Sequence, residues 1–277
     1  MPATFAPPTI RPSPATGGRI WRFDTLPSTS GWARENIARL RPGDVVATRH
    51  QTAGRGRFDR RWFSAPGDSL ALSLVLDGAA LSGVAPNLAQ AAALGVRRAL
   101  ARAGLAAMLH WPNDVLVNGR KIAGLLAESI DGGRRIVLGI GLNVNIPAAT
   151  LAAAIPDRPA TSMALEAGRR FEPEAVQSEI LEKVTQAILE LQAGSFAALA
   201  AEWAAHDGLC GQRLRLSLHE TQAVEGRYAG LDRLGRLCLT DARGQCTAYW
   251  AGEVQKLLDG SGASGPMADG GTASRPA

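Results

Sequence analysis

The sequence predicts an α+β fold, in which helices back a β-sheet and a small β-barrel follows at the C-terminal end. Leucine occupies every second position from residue 70 to residue 76, and this period of two is typical of a strand with one face on the core. Residues 87 to 102 are rich in alanine and predict a helix that covers the sheet. From residue 211 to residue 255, short β-like segments are broken by glycines, which indicates a small barrel.

The first half of the chain supplies the predicted strands of the sheet. Between apolar segments at residues 20–23 and 45–48, Pro27-Ser-Thr-Ser30 provides a turn and an N-cap for a helix that ends near Leu40. Asn118-Gly119 between apolar segments is a strong hairpin signal. The remaining predicted strands span residues 108–111, 115–117, 122–130 and 135–140.

The second half of the chain is predicted to contain helices and then the barrel. The predicted helices span residues 161–168, 173–194 and 196–206, and the long one starts at a proline and ends at a glycine. We predict a main domain over residues 19 to 207 and the barrel over residues 208 to 257. Residues 1 to 18 and 258 to 277 hold few apolar side chains and are predicted to be disordered tails.

Composition limits the classes of protein to consider. The 277 residues are 46% apolar, which is enough for a full core. No apolar run reaches the roughly 20 residues of a membrane helix and no signal peptide is visible, so we expect a cytoplasmic protein without a membrane partner. The three cysteines lack Cys-x-x-Cys spacing and the four histidines are scattered, so we expect buried free thiols and no metal held by the protein.

The most distinctive stretch is residues 51 to 62, Gln-Thr-Ala-Gly-Arg-Gly-Arg-Phe-Asp-Arg-Arg-Trp, here called the arginine loop. From Arg49 to Trp62 there are five arginines and one aspartate, a local charge of +4 in a chain of net charge +5. Gly54 and Gly56 allow the backbone to approach a ligand, and guanidinium groups suit carboxylate and phosphate oxygens. Composition alone leaves open a small anionic ligand, a nucleic-acid backbone or a solvated surface loop.

Two other stretches carry polar residues at predicted turns. Trp111-Pro-Asn-Asp114 precedes Asn118-Gly-Arg-Lys-Ile-Ala-Gly124, which could by itself be an ordinary hairpin. Gly139-Ile-Gly-Leu-Asn-Val-Asn145 could be a strand end with capping asparagines. No helix follows a Gly-x-Gly-x-x-Gly pattern, so a dinucleotide-binding fold is not favoured.

Taken together, in this order and spacing, these stretches closely resemble the biotin protein ligases. The resemblance covers roughly residues 20 to 255. It rests on Ser28-Thr29, the loop pattern Gly-Arg-Gly-Arg-x-x-Arg-x-Trp, Trp111-Pro-Asn-Asp114, Lys121-x-x-Gly-x-Leu and Gly141-Leu-Asn-Val-Asn145. It implies that residues 19 to 207 form a catalytic domain for biotin and ATP. The implied fold is a mixed β-sheet backed by helices, the biotin–lipoate ligase fold related to class II aminoacyl-tRNA synthetases. An SH3-like β-barrel is implied after it.

The resemblance also implies a reaction in two steps. The biotin carboxylate attacks the α-phosphate of ATP, which comes with Mg²⁺, to give biotinyl-5′-AMP and pyrophosphate. A lysine of a biotin carboxyl carrier protein then takes the biotinyl group. Because like charges oppose the first step, the site must supply fixed positive charge. The implied catalytic residues are Lys121, Arg57 and Arg55.

The family pattern also implies two sets of binding residues. The biotin set comprises Ser28, Thr29, Ser30, Gln51, Arg55, Gly56, Arg57, Lys121 and Gly124. The ATP set comprises Arg57, Arg60, Trp62, Asn113, Asp114, Lys121 and Asn143. The chain departs from the family pattern at Ser30, where asparagine is usual, and at His110, where lysine is common. These departures put a biotin-ring hydrogen bond and a phosphate contact in question.

Three alternatives bear on the function. Lipoate–protein ligases share the catalytic fold, but the arginine loop favours biotin. A basic nucleic-acid-binding module would need basic and aromatic residues spread over a face, whereas the aromatic content is 5% and the charge is local. Only about 19 residues precede the first predicted strand, too few for a DNA-binding winged helix. We therefore expect a ligase without repressor activity or DNA as a partner.

Family members commonly dimerise through an exposed sheet, so a homodimer stays open.

Overall fold

The computed structural model describes residues 6–58, 60–219 and 222–257. In chain order the strands are β1 (Thr9–Pro12), β2 (Arg19–Leu26), β3 (Val45–Gln51), β4 (Gly54–Arg55), β5 (Arg61–Trp62), β6 (Ser69–Asp77), β7 (Ala107–His110), β8 (Asp114–Val117), β9 (Arg120–Ile130), β10 (Arg135–Asn143), β11 (Arg213–His219), β12 (Gln222–Leu231), β13 (Leu237–Thr240), β14 (Cys246–Tyr249) and β15 (Glu253–Leu257). The α-helices are α1 (Thr29–Glu35), α2 (Leu88–Arg102), α3 (Ala148–Ala154), α4 (Met163–Ala167), α5 (Pro173–Gly194) and α6 (Ala200–Ala205).

The main domain is built on an eight-stranded mixed sheet in the order β1-β2-β3-β6-β10-β9-β8-β7. Strands β2 and β3 are parallel, and the other neighbouring pairs are antiparallel. A helix can connect the parallel pair, and α1 does so here. Strands β3, β8, β9 and β10 carry predicted site residues at their ends. In this order they occupy the middle and one side of the sheet.

Helices cover both faces of this sheet. On one face, α2 and α5 pack on each other and over the leucines at 70, 72 and 74 of β6. The helices lie so close that a Cβ at Gly95 would come within 2.6 Å of the Val184 Cα. On the other face, Trp32 of α1 packs in a second core with Val46 and Val75. Strand β6 is therefore buried on both faces, and the prediction of a single core face was wrong because α1 supplies a second cover.

The N-terminal tail prediction is wrong for residues 9 to 12. These residues form β1, which pairs antiparallel with β2 from Thr9 opposite Arg22 to Pro12 opposite Arg19. The side chains of β1 are all exposed, so backbone pairing at the sheet edge holds the strand and no apolar pattern announces it. Residues 1–5 and the predicted tail at 258–277 lie outside the described residues.

The predicted helices mostly occur, with shorter bounds. The first one ends at Glu35 and a 3-10 turn over Ile37–Arg39 follows it, whereas the long helix over Pro173–Gly194 has the predicted limits. Helix α3 was not predicted, because its alanine-rich sequence buries only Leu151 and shows no helical stripe. Among the described residues, no helix has both the length and the apolar character needed to cross a membrane.

A five-stranded antiparallel sheet, in the order β14-β13-β12-β11-β15, forms the C-terminal part. Its first strand begins at Arg213. The sheet docks on the main domain through the backbone of its β12–β13 turn, where Gly235 O accepts from Gln90 Nε2 at 2.8 Å and from Trp111 Nε1 at 3.2 Å. Buried residues of the two parts form one continuous core. The domain limits at 207 and 208 stay a prediction.

The cysteines correct one expectation. Cys210 and Cys246 are exposed and Cys238 is half-buried, so the prediction of buried thiols was wrong. Cys210 lies in the connection between the two sheets, and Cys246 begins an edge strand, where only one neighbouring strand covers it.

Candidate active site

A groove with a cavity volume of about 860 Å³ runs between the main sheet, the arginine loop and the start of β15. It gathers residues that are far apart in the sequence. Of the sequence-predicted site residues, it is lined by Ser28, Thr29, Ser30, Gln51, Arg55, Gly56, Arg57, Arg60, Trp62, Asn113, Asp114, Lys121 and Gly124. Asn143 does not line this groove.

One end of the groove is a buried chain of polar side chains at the start of α1. Ser28 is the N-cap of that helix, and its Oγ accepts from Gly31 N at 3.2 Å. The backbone N and Oγ1 of Thr29 donate to Gln51 Oε1 at 2.8 and 3.1 Å. Ser73 Oγ in turn donates to Thr29 Oγ1 at 2.8 Å. The Ser28 cap therefore fixes the start of α1 at the groove wall, and Ser73 of β6 orients the Thr29 hydroxyl.

Ser73 was missed by the sequence analysis. It is fully buried in the middle of the leucine-rich strand β6, and its Oγ lies 2.9 Å from Ser30 Oγ. A serine among core leucines was the available signal, because a buried hydroxyl needs a partner. Ser30 thus replaces the family's usual asparagine with a hydroxyl that already has a neighbour inside the protein.

The arginine loop is a tight hairpin and not an open loop. Gly54 pairs with Trp62 and Arg55 with Arg61, and Gly56 N donates to Arg60 O at 2.8 Å. Gly54 is needed for close approach, because a Cβ there would lie 2.5 Å from Trp62 O. Neither Gly54 nor Gly56 has a positive φ. The left-handed residue near the tip is Phe58, at φ 53°.

Arg57 enters the groove, whereas Arg55 stays at its rim. Arg57 Nη1 donates to Asn113 Oδ1 at 3.3 Å, and Asn113 Nδ2 donates to Leu125 O at 2.7 Å. Burial lowers the pKa of the Arg57 guanidinium, although nearby carboxylates oppose that shift. Arg55 instead pairs with Glu128 Oε1 at 3.1 Å. The two predicted catalytic arginines are therefore held in different ways.

Lys121 and Trp62 form the centre of the groove. Lys121 Nζ lies 2.6 Å from Asp114 Oδ2 on the neighbouring strand and 5.9 Å from the Trp62 ring centroid. Glycine at 124 leaves room for both side chains, since a Cβ there would be 3.2 Å from Trp62 Cζ3 and 3.3 Å from Lys121 Nζ. Trp62 Nε1 is buried and has no hydrogen-bond partner within the described residues, so it is available to a ligand.

Asn143 lines an adjoining cavity of about 570 Å³. Its Nδ2 donates to Thr161 O at 2.9 Å, which fixes the side chain at the end of β10. Residues shared by the two cavities include Gln51, Trp62 and Lys121. The adjoining cavity also has an apolar wall from the chain after α3. Trp62 and Lys121 thus lie at the boundary between the two cavities.

The sequence analysis assigned no role to two further charged residues, although one of them lies in Gly252-Glu253-Val254, which resembles the barrel end of the family. Arg158, in the connection after α3, and Glu253, the first residue of β15, both line the groove. The Glu253 carboxylate pairs with Arg60 and lies 3.4 Å from Arg158 Nη2. Because the three residues come from three separate segments, no local pattern could have joined them.

His110 lines the groove beside this charge cluster. Burial lowers the pKa of its imidazole, and the positive charges of Lys256 and Lys121 act in the same direction. Asp114, opposite His110 in the β7–β8 pair, opposes the shift. The imidazole is therefore held toward its neutral form.

The sequence of the chain is similar to one protein-family model and to several characterised proteins. The model of the biotin/lipoate A/B protein ligase family matches residues 21–145. The biotin–[acetyl-CoA-carboxylase] ligase of Mycobacterium tuberculosis is 32% identical over 251 residues, which cover 87% of this chain and 91% of that protein. The bifunctional ligase/repressor BirA of Bacillus spizizenii is 31% identical over 234 residues, which cover 82% of this chain and 71% of that protein.

Solved structures support the same fold. The biotin protein ligase of Aquifex aeolicus, in complex with biotin and ATP, superposes with a TM-score of 0.75 at 24% identity and covers 86% of this chain and 98% of its own. The biotin protein ligase of Leishmania major, in complex with biotinyl-5-AMP, superposes with a TM-score of 0.53 over 83% of this chain and 97% of its own, also at 24% identity. These matches confirm the predicted fold class of a helix-backed mixed sheet, and the five-stranded antiparallel sheet that follows it is compatible with the predicted SH3-like barrel.

Proposed function

The chain belongs to the biotin protein ligase family, and on that premise we propose that its groove activates biotin with ATP and transfers the biotinyl group to a carrier lysine. The observation that carries the proposal is that Lys121 and Trp62 line both cavities, while Arg57 lines the main groove near Asp114, the carboxylate partner of Lys121. One cavity ends in buried hydroxyls and the other in Asn143 and an apolar wall. This arrangement suits a reaction that joins two ligands at the boundary between their sites.

The hydroxyl end suits the ring system of biotin. Thr29 and Gln51 are fixed by mutual hydrogen bonds and present polar atoms in an otherwise apolar wall that includes Leu125 and Leu126. Such a wall with a few oriented polar groups is typical of a site for a small ligand. In this orientation the biotin carboxylate points toward Lys121 and Arg57.

The first step needs neutralisation of charge between the biotin carboxylate and the α-phosphate of ATP. Lys121 and Arg57 supply it from fixed positions, so little reorganisation is needed when charge develops. Lys121 exchanges its contact with Asp114 for the ligand oxygens. Arg55, held by Glu128 at the rim, closes over the ligand from outside.

The adjoining cavity suits the nucleotide. Asn143 offers amide groups at its inner end, and Trp62 offers a ring face and a free indole N–H at the boundary. Arg60, Asn113 and Asp114 also line the groove, where they can contact the phosphates.

Mg²⁺ accompanies ATP and, when bound, screens the charge of its phosphates. Asp114 and Glu253 line the groove, and each is already paired with a cation. The residues therefore fit a Mg²⁺ held mainly by phosphates and water, as is usual for nucleotide-bound Mg²⁺, and not a site built by the protein.

The second step transfers the acyl group to a lysine amine of a biotin carboxyl carrier protein. The amine attacks the acyl carbon, the bond to the AMP oxygen breaks, and AMP leaves as the amine loses a proton. Water would compete for the same carbon, so the arginine loop must cover the adenylate until the carrier protein binds. The exposed edge of β1 offers a surface for a homodimer, which stays a prediction.

The test is a direct assay of the protein with biotin, ATP, Mg²⁺ and an unmodified carrier domain, read on a streptavidin blot. We expect biotinylation of the carrier that depends on ATP. A parallel reaction with lipoate is read with an antibody against lipoyl groups. Labelling by lipoate in place of biotin would overturn the proposal in favour of a lipoate–protein ligase.

A further inference from the structure

Glu253 connects the two domains at the groove. It begins β15 of the C-terminal sheet, where it is paired in register with Ser217 of β11. Its carboxylate contacts Arg60 of the arginine loop and Arg158 of the connection after α3. A single carboxylate from a regular strand therefore holds two segments of the main domain.

The two arginines are carried by two separate segments of the groove wall. Arg60 follows the tip of the β4–β5 hairpin, and Arg158 lies between α3 and α4. Both segments also line the adjoining cavity, through Arg61 and Trp62 on one side and through Ile155 and Arg158 on the other. Holding the two segments together therefore narrows the access to both ligand compartments.

These ion pairs contribute little to the stability of the fold. The side chains of Glu253, Arg60 and Arg158 are 40%, 39% and 45% exposed, and exposed ion pairs are weak because water and salt screen their charges. The ion pairs instead balance the charge at the groove. The Arg60 hydrogen bond is the first cause of the lowered pKa of Glu253, and the Glu253 charge in turn opposes the lowering of the Arg57 pKa.

Without Glu253, the groove wall would hold Arg57, Arg60 and Arg158 with less compensating negative charge. Like charges on two separate segments favour their separation, whereas a carboxylate between them favours their approach. Guanidinium groups carry five donors in a fork, so each arginine can bind Glu253 and a ligand oxygen together. The carboxylate therefore need not leave when phosphates bind.

We propose that Glu253 is a positioning residue that holds the arginine loop and the connection after α3 together across the groove, and so slows the escape of biotinyl-5′-AMP. The inference rests on the proposed function, because the adenylate is its intermediate. It gives the C-terminal sheet a defined role in retaining the intermediate, through one side chain to which the family resemblance assigned no role.

The experiment measures release of radiolabelled adenylate from the purified full chain. Adenylate is formed with labelled biotin, ATP and Mg²⁺, free ligands are removed on a desalting column, and the bound label is followed after adding excess unlabelled biotin and ATP. For Glu253→Gln we expect the adenylate to be released about threefold to tenfold faster than from the parent, because the variant loses two exposed ion pairs. The rate of adenylate formation at saturating ligands should change less.

A double-mutant cycle with Arg158→Gln separates a shared contact from two independent effects. The double variant should release adenylate no faster than Glu253→Gln alone, because the same link is already lost. Glu225→Gln is the matched control. Glu225 lies 3.6 Å from Arg215 in an exposed pair of the same sheet, does not line the groove, and should retain adenylate as the parent does.

Release from Glu253→Gln at the parental rate would overturn the inference. Slower release together with tighter ATP binding would also overturn it, because Glu253 would then compete with the phosphates for the arginines. If the parent itself formed no adenylate, the failure would lie with the proposed function, and the role of Glu253 would fall with it.

Discussion

The indole of Trp62 packs against the backbone of Gly141, so closely that a Cβ at position 141 would lie 2.4 Å from the ring atom Cε2. Gly141 is in the middle of the sheet, opposite Ala71 of β6 and Gly124 of β9. Its φ is not in the left-handed region, so the requirement for glycine comes from the tryptophan ring alone. The position of the ring between the two cavities thus depends on two glycines beneath it.

Gly141→Ala should displace the Trp62 ring while leaving strand β10 intact. We expect kcat/KM for adenylate formation to fall about 10-fold to 100-fold, because small displacements of a positioning group are costly to rate. The measurement is pyrophosphate release over a range of ATP and biotin concentrations. Gly83→Ala is the control, since a Cβ at Gly83 meets nothing within 4 Å. Equal rates for the two variants would contradict the role given to Trp62.

Lys121→Gln should abolish most of the adenylation. The variant removes the positive charge that compensates the carboxylate and phosphate, and we expect kcat for adenylate formation to fall about 100-fold or more. It also leaves Asp114 without its cation. Lys183→Gln is the matched control, because Lys183 pairs with Glu182 on α5, in the helix layer. A variant with nearly parental pyrophosphate release would show that Lys121 is not catalytic.

Arg57→Gly should still form adenylate, more slowly than the parent because Lys121 alone then supplies the compensating charge, but should fail to retain it. The change removes a buried guanidinium that contacts Asn113 at the groove wall. Loss of a charge-assisted hydrogen bond of about 1.5 to 3 kcal/mol corresponds to release at least about tenfold faster. Free adenylate should then biotinylate the lysines of an added bystander protein.

The readout for Arg57→Gly is streptavidin labelling of serum albumin in the absence of carrier. Arg243→Gly, at an exposed turn of the C-terminal sheet, provides the comparison. Retention of radiolabelled adenylate equal to that of the parent would contradict the prediction, as would bystander labelling that Arg243→Gly matches.

His110 should make stability depend on pH below about 6.5. Burial lowers the pKa of His110 in the folded protein, so between that value and the unfolded pKa of about 6.5 the unfolded chain binds more protons. Stability from this residue is therefore complete above pH 6.5 and is lost as the pH falls. The loss at pH 5 can reach at most about 2 kcal/mol, since each pH unit is worth about 1.4 kcal/mol.

The measurement is the urea midpoint of the parent and of His110→Gln at pH 8 and pH 5. The parent should lose more stability than the variant between the two values, because glutamine does not titrate. A parallel change in both proteins would mean that the titration of other groups determines the pH dependence and that His110 does not contribute.

Much of the site could be predicted because its motifs are local. The stretch from Trp111 to Gly124 folds as two short strands and their turns, so its polar residues lie near each other along the chain. The arginine loop likewise pairs with itself. In both stretches the sequence order alone brings Asp114 and Lys121, or Gly54 and Trp62, into contact.

What the sequence determined by itself was therefore the alternation of strands and helices, the fold class, and the side chains that belong to each motif. The tertiary structure decided which motifs share a cavity. It set Asn143 apart from the main groove, buried Ser73 beside Thr29, added β1 by backbone pairing, and covered β6 on both faces. It also brought Glu253 to Arg60 and Arg158 from three separate segments. Contacts of this kind depend on how whole elements dock, and docking is a sum over many weak and distant interactions that no short pattern contains.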